Sequence, residues 1–217
     1  MNIKIKNNLI ERVSHIKFLG VTIHENLNWT PHINNLCTKV ARSIGVIKRL
    51  SDVFPNKILL MLYNALILPI LSYANIVWGS GYNYAIQKLH ILQKKVVRII
   101  GDAGFRDHTP PLFKRLDIMP IFDVHSIQLG VFMYRLVNNL LPNTIDYPIT
   151  YNYELHGYFT RSACSIHDSR ARTEVRKHSL RHAGITFWNS LPQNITRSRN
   201  LSIFSSNLKK YLNSPTN

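Results

Sequence analysis

Thr30-Pro31-His32-Ile33-Asn34-Asn35-Leu36-Cys37-Thr38-Lys39-Val40-Ala41-Arg42-Ser43-Ile44-Gly45-Val46-Ile47-Lys48-Arg49-Leu50 is the stretch on which the fold turns. A hydroxyl residue followed by proline marks a helix start, because proline lacks only an N–H that the first turn leaves unpaired anyway. Ile33, Leu36, Cys37, Val40, Ile44 and Ile47 then recur at helical spacing on one face, while Lys39, Arg42 and Arg49 fall largely opposite. One side of this helix is core and the other is basic.

Three more long helices follow from the same periodicity. Pro55 opens one that is almost wholly apolar through Leu68, is disturbed by Pro69, and reads as the most buried element of the fold. Its extension to Trp78 is the one membrane candidate, but Asn64, Pro69, Ser72 and Asn75 interrupt it and favour a core helix. From about Tyr82 to Ile100, Ala85, Ile86, Leu89, Leu92, Val96 and Ile99 turn inward and Lys94, Lys95 and Arg98 outward, with Gly101 placed for a left-handed cap. After a loop-rich stretch with a short helix near residues 112–116, a last long helix runs from about Ile121 to Leu140, with Leu129, Met133, Leu136 and Leu140 as its core stripe.

Upstream, residues 1–24 alternate apolar and polar positions and read as a small antiparallel β unit. Downstream, residues 143–200 are polar, with little periodicity, and read as irregular backbone or short strands. An amphipathic helix carrying Leu201, Phe204, Leu208 and Leu212 finishes the chain. The expected fold is mainly α: a β unit over 1–29, a helical bundle over 30–142, and a basic C-terminal region over 143–217.

With 217 residues, 45% of them hydrophobic, the chain can bury a substantial core. Its formal charge of +16 makes a polyanion the natural partner. Nothing in the first residues resembles a secretion signal, and Cys37 and Cys164 have no zinc or disulfide spacing, so an intracellular setting, nucleus or cytoplasm, is expected.

The chemistry of catalysis is missing. Two-metal polymerisation needs closely placed carboxylates, and no two aspartates are adjacent. No histidine has aspartate two positions on, as an iron dioxygenase would require, and no nucleophile elbow or phosphate-binding glycine loop occurs. Asp123-Val124-His125 has the reverse order and reads as capping and surface residues. No catalytic and no metal-ligating residue is assigned.

Cationic residues are the candidates for binding. Lys39, Arg42, Lys94, Lys95 and Arg98 lie on the outward helix faces, suited to tracking phosphates without reading bases. Arg161, Arg170, Arg172 and Arg176, followed by Lys177 and Arg181, interleave with Tyr153, Tyr158 and Phe159, a combination suited to phosphate and to unstacked bases.

A series of segments gives these readings a family context. Phe18-Leu19-Gly20-Val21-Thr22-Ile23 and Leu27-Asn28-Trp29-Thr30-Pro31-His32-Ile33 are followed by Tyr73-Ala74-Asn75-Ile76-Val77-Trp78-Gly79 and by residues 89–100. Then come His108-Thr109-Pro110-Pro111-Leu112-Phe113, residues 116–121, and Phe187-Trp188-Asn189-Ser190-Leu191-Pro192. In this order they resemble the C-terminal part of reverse transcriptases from LINE-type, non-LTR retrotransposons.

The resemblance implies that residues 1–29 end the palm and begin the primer grip, with Phe18, Leu19 and Gly20 at the grip, and that a thumb starts near residue 30. It further implies RNA and RNA:DNA hybrid as partners, and a palm domain upstream of Met1 that carries the aspartate pair and its Mg²⁺ ions. The chain itself would then be a non-catalytic fragment without cofactor. A second reading is a structural or interaction module docking on that palm or on another protein. Residues 18–50 also resemble a short module associated with the eighth AlkB homologue, a tRNA-modifying protein.

Overall fold

In the computed structural model the described residues are 4–5, 8–9, 11–142, 147–155 and 160–214. Residues 1–3, 6–7 and 10 of the expected β unit, and Tyr158 and Phe159, lie outside them. Two antiparallel strand pairs open the chain, β1 (Lys4–Ile5) with β2 (Asn8–Leu9) and β3 (His15–Phe18) with β4 (Val21–His24). Helices account for nearly all remaining regular structure, so the fold is mainly α with a small β entry. Among the described residues no helix is long and apolar enough to cross a membrane.

Helix α1 (Thr30–Leu50) buries Ile33, Leu36, Val40, Ile44 and Ile47, as its stripe demands. Its cap differs in one detail: the Asn28 side-chain oxygen accepts from the Thr30 N–H (2.9 Å) and hydroxyl (2.7 Å), so Thr30 is the capped residue rather than the cap. Pro69 splits the next apolar run into α2 (Asn56–Leu66) and α3 (Leu68–Ser72). The expectation that this run is the most buried element fails. Leu59 and Tyr63 of α2 are buried, whereas Ile58, Met61 and Leu66 are exposed, because the helix docks by one side only.

A short helix, α4 (Asn75–Trp78), turns the chain into α5 (Asn83–Ile100), whose Ala85, Ile86, Leu89, Val96, Val97 and Ile100 are buried. Ile99, expected inward, is only half-buried, since Val97 and Ile100 take the inner positions. Gly101 is right-handed (φ −81°) rather than a left-handed cap, and the left-handed residue is Asp102 (φ 50°). Gly101 instead gives close passage to α6 (Pro110–Arg115), where Arg115 Nη2 donates to its carbonyl at 2.5 Å.

Helix α7 (Ile121–Val137) buries Leu129, Met133 and Leu136 but stops before Leu140, which is exposed beyond the left-handed Asn139 (φ 54°). The irregular or stranded form expected for 143–200 is also corrected. It contains α8 (Asn152–Leu155), α9 (Glu174–Lys177), α10 (Leu180–Ser190) and α11 (Gln193–Thr196), with a single described bridge between Tyr151 and Ile166. Helix α12 (Leu201–Leu212) follows as expected, burying Phe204 and Leu208. Two apolar clusters result: one gathers α1 to α6 and the start of α7, and the other gathers the end of α7 with α10 to α12, where Trp188 packs beside Phe204 at 5.7 Å.

One buried polar side chain ties the first cluster together. Gln93 is fully buried; its Nε2 donates to Tyr63 Oη and to the Met119 carbonyl, each at 2.8 Å, and its Oε1 accepts from the Ile121 N–H at 2.9 Å. Burial pushes the Tyr63 hydroxyl up to about 12, so it stays neutral. Replacing Gln93 by Leu would strand the buried Tyr63 hydroxyl and Ile121 N–H and the half-buried Met119 carbonyl, and stranded buried groups cost about 1–3 kcal/mol each. A loss of about 2–4 kcal/mol in urea unfolding is expected; a loss below about 1 kcal/mol would show that the network is dispensable.

Candidate nucleic-acid interface

The basic faces of α1 and α5 lie side by side. Thr30 Oγ1 meets Tyr84 Oη at 3.0 Å, and one turn later Lys88 Nζ donates to Asn34 Oδ1 at 3.3 Å. Equal spacing of these contacts means that the two helices run in the same direction. Along α1, on the side of α5, Asn34, Thr38, Ala41 and Gly45 succeed each other at steps of four, three and four, and all are exposed. A methyl group added at Gly45 would meet nothing within 4 Å.

Being small, these residues leave a low strip, or trough, between the larger cationic side chains on either side. Arg42 and Arg49 stand on the α1 bank, and Lys88 and Lys95, seven positions apart and therefore in line, stand on the α5 bank. Lys39 is exposed on the further flank of α1. None of these five forms an ion pair among the described residues, so their charge remains available to an external anion.

The five helical residues named from sequence therefore divide. Arg42 and Lys95 belong to the α1–α5 surface, and Lys39 to the further flank of α1. Lys94 is half-buried on the other flank of α5, lining a cavity with α6 and α7, and Arg98 donates from Nε to the Asp107 carbonyl at 3.0 Å. Lys88 and Arg49 complete the trough; Arg49 had been read as outward, whereas Lys88 was missed although it shares the line of Lys95.

The C-terminal arginines reach one end of this surface. His178 Nδ1 lies 2.5 Å from the Ser80 carbonyl oxygen, Ser80 Oγ donates to the His178 carbonyl at 2.7 Å, and the His178 ring meets Tyr82 edge-on at 5.0 Å. Tyr82 in turn stacks on Tyr84 at 5.8 Å. Helix α9 is thereby held at the N-terminal ends of α1 and α5, together with Arg176, which is exposed and bonded to Ser169 Oγ. Arg170 and Arg172 precede it, both exposed. Arg161 sits apart, exposed on the turn that faces α8, where Tyr151 and Tyr153 stack at 5.5 Å. Arg181 lies over the Tyr147 ring at 5.5 Å.

Phe18, Leu19 and Gly20 form the tip of the second hairpin. Leu19 (φ 45°) and Gly20 (φ 81°) both take positive φ, the two-residue turn whose twist suits a hairpin. Gly20 is required by that conformation, and its nearest neighbour is the Tyr73 ring rather than another backbone. Phe18 and Leu19 are 61% and 73% exposed, leaving an apolar tip on the surface. The second strand of the hairpin is fixed through the Thr22 N–H, which donates to His32 Nδ1 at 3.2 Å, while the His32 ring meets Trp78 edge-on at 5.8 Å. Burial, with Lys39 adding to it, lowers the His32 pKa, which favours the neutral ring that can accept this bond.

His125, read from sequence as a surface residue, turns inward and meets Asn75 Oδ1 at 2.9 Å, and burial lowers its pKa too. Among the described residues no group of three or more histidine, cysteine, aspartate or glutamate side chains could hold a metal ion.

The chain is 25% identical over 188 residues to a Drosophila melanogaster protein described as the RNA-directed DNA polymerase from mobile element jockey. That alignment takes in 83% of this chain and 18% of the relative's length. It supports a distant relationship to a reverse transcriptase. No family model and no solved structure matches the chain.

Tyr73 Oη donates to the Leu19 carbonyl at 2.7 Å, so the exposed tip is tethered by one side-chain bond. Tyr73→Phe should change the melting temperature little while speeding amide exchange at the hairpin tip severalfold. Unchanged exchange would mean that the hairpin is held by β4 and His32 alone.

Proposed function

We propose that this chain is the thumb-like, C-terminal portion of a retrotransposon reverse transcriptase and grips RNA or RNA:DNA primer–template by shape and charge. The observation that carries the reading is the α1–α5 trough, with small residues along its floor, unpaired cations on both banks, and Gly45 open to close approach by a phosphate chain. Contacts of this kind position a duplex without reading its sequence. The relative's description as an RNA-directed DNA polymerase agrees with that partner class.

In this reading the exposed hairpin tip at Phe18, Leu19 and Gly20 abuts the primer strand, and α9 extends the cationic surface toward single-stranded RNA through Arg170, Arg172 and Arg176. The chain supplies grip and no chemistry. Carboxylates and Mg²⁺ ions for synthesis belong to a palm domain elsewhere in the parent enzyme, since no adjacent aspartate pair exists here.

A second reading, a docking module, is favoured by one observation. The outward side of α2 exposes Ile58, Met61 and Leu66, and Val53 and Phe54 just before it are exposed as well. Apolar surface of this kind marks a contact with another protein surface, such as the palm.

Affinity for an RNA:DNA hybrid should fall steeply with salt, by about 0.9 in logarithmic slope per phosphate contact. Arg42→Glu with Lys95→Glu should weaken binding about tenfold or more whatever the sequence and flatten the slope, while Met61→Glu leaves both unchanged. A slope near zero in the unaltered chain would remove the electrostatic grip. In primer extension on an RNA template with Mg²⁺, the chain alone should give no elongated product; elongation would refute the non-catalytic assignment.

A further inference from the structure

The flank of α5 away from the trough borders a cavity of about 520 Å³ closed by α6 and by the start of α7. His90, Phe113 and Phe122 give it an aromatic side: the His90 and Phe113 rings are stacked at 5.9 Å, and Phe122 meets His90 edge-on at 5.3 Å. Lys94 and Lys114 also line it, one from α5 and one from α6, together with Asp117 just beyond α6 and Leu212 at the end of α12. Its volume lies within the range of small-ligand pockets, roughly 300–1,000 Å³.

Asp123 lines the same cavity from the first turn of α7, where the helix dipole favours its charge. An acidic side chain at the third position of a helix ordinarily reaches back to the N–H of the capping residue. Here the capping residue is Pro120, which has none, and the next N–H, that of Ile121, is already taken by Gln93. Among the described residues the Asp123 carboxylate has no ion pair and no hydrogen bond, although it is half-buried. Burial without a compensating cation raises its pKa.

A ligand that completes this site must donate N–H groups to a carboxylate, lie against aromatic rings, and carry negative charge for two lysines. A cationic peptide meets the first demand but leaves Lys94 unanswered, because Asp117 can offset only one of the two lysines. Guanine presents two parallel donors, N1–H and the exocyclic amine, on its Watson–Crick edge, whereas adenine and cytosine place an acceptor beside their amine and oppose an ionised carboxylate. We propose that the cavity between α5, α6, α7 and the end of α12 binds an unpaired guanine nucleotide, with Asp123 on the Watson–Crick edge and Lys94 and Lys114 on the phosphate. The site lies apart from the α1–α5 trough and does not depend on duplex binding there. Reading of flipped or single-stranded bases by edge contacts and stacking is a general mode of recognition.

Calorimetric titration of the full chain with GMP, AMP and guanosine tests this. GMP should bind at least about tenfold more tightly than either of the others. Asp123→Asn, whose amide offers one donor and one acceptor, should abolish the preference for GMP over AMP. Lys94→Gln with Lys114→Gln, both at the cavity wall, should erase the advantage of GMP over guanosine, and this pair keeps the test open if the Asp123 variant does not fold. Oligonucleotide hairpins with one unpaired guanine or adenine in the loop identify the source: guanine preference there assigns the site to a polynucleotide, and preference with GMP alone assigns it to free nucleotide. Equal binding of GMP and AMP, a preference that survives Asp123→Asn, or displacement of GMP by an arginine-rich peptide at lower concentration would overturn the proposal. Loss of hybrid binding in the Arg42 and Lys95 variants with GMP binding intact would separate the two sites.

Discussion

Everything in the first cluster turns on how the chain reverses between α3 and α5. Asn75 is fully buried there; its Nδ2 donates to the Leu71 carbonyl at 3.1 Å, and its Oδ1 meets His125. Ala74 before it takes the left-handed conformation (φ 50°), which an alanine holds only when its surroundings impose it. Trp78, completely buried, donates from its indole to the Tyr73 carbonyl at 3.0 Å. This joint sets where Tyr73 meets the hairpin, where His32 meets the indole ring, and where α7 enters. Strain at one residue is offset by a large apolar side chain and several satisfied polar groups around it.

From that joint follows the placement of α1 beside α5. Two helices packed side by side have adjoining outward faces, so cations dispersed along about 60 residues of sequence become neighbours. The last third of the chain is drawn in by the reciprocal bonds between Ser80 and His178, which bring a basic helix to one end of the pair. A net charge of +16 thus gains direction from a handful of uncharged contacts.

Much of this was readable in the sequence, and the exceptions have physical reasons. The stripes of α1, α5 and α12 were plain because each of these helices buries one face and exposes the other. Helix α2 misled because a run apolar all round looks buried, whereas this helix buries only Leu59 and Tyr63 fully, with Leu60 and Leu62 partly buried beside them. Gly101 drew the cap prediction, yet tertiary crowding beside Arg115 claimed the glycine and left the positive φ to Asp102. The helices after residue 150 are short and irregularly patterned, though their caps were available: Thr173 and Ser179 accept from the backbone at the starts of α9 and α10. Periodicity could have found Lys88. Nothing in the sequence could pair Lys94 with α6, because that depends on how the loop from 101 to 109 folds back.

Helix α7 carries a consequence of its own. Ile121 near its start is embedded in one apolar cluster, and Met133, Tyr134 and Leu136 near its end anchor the other. A single rod shared by two cores makes their melting mutually dependent, since fraying at either end withdraws apolar partners from both. Cutting the chain behind this rod would therefore not yield a free-standing remnant but one with bare aromatic and methionine surface, prone to self-association.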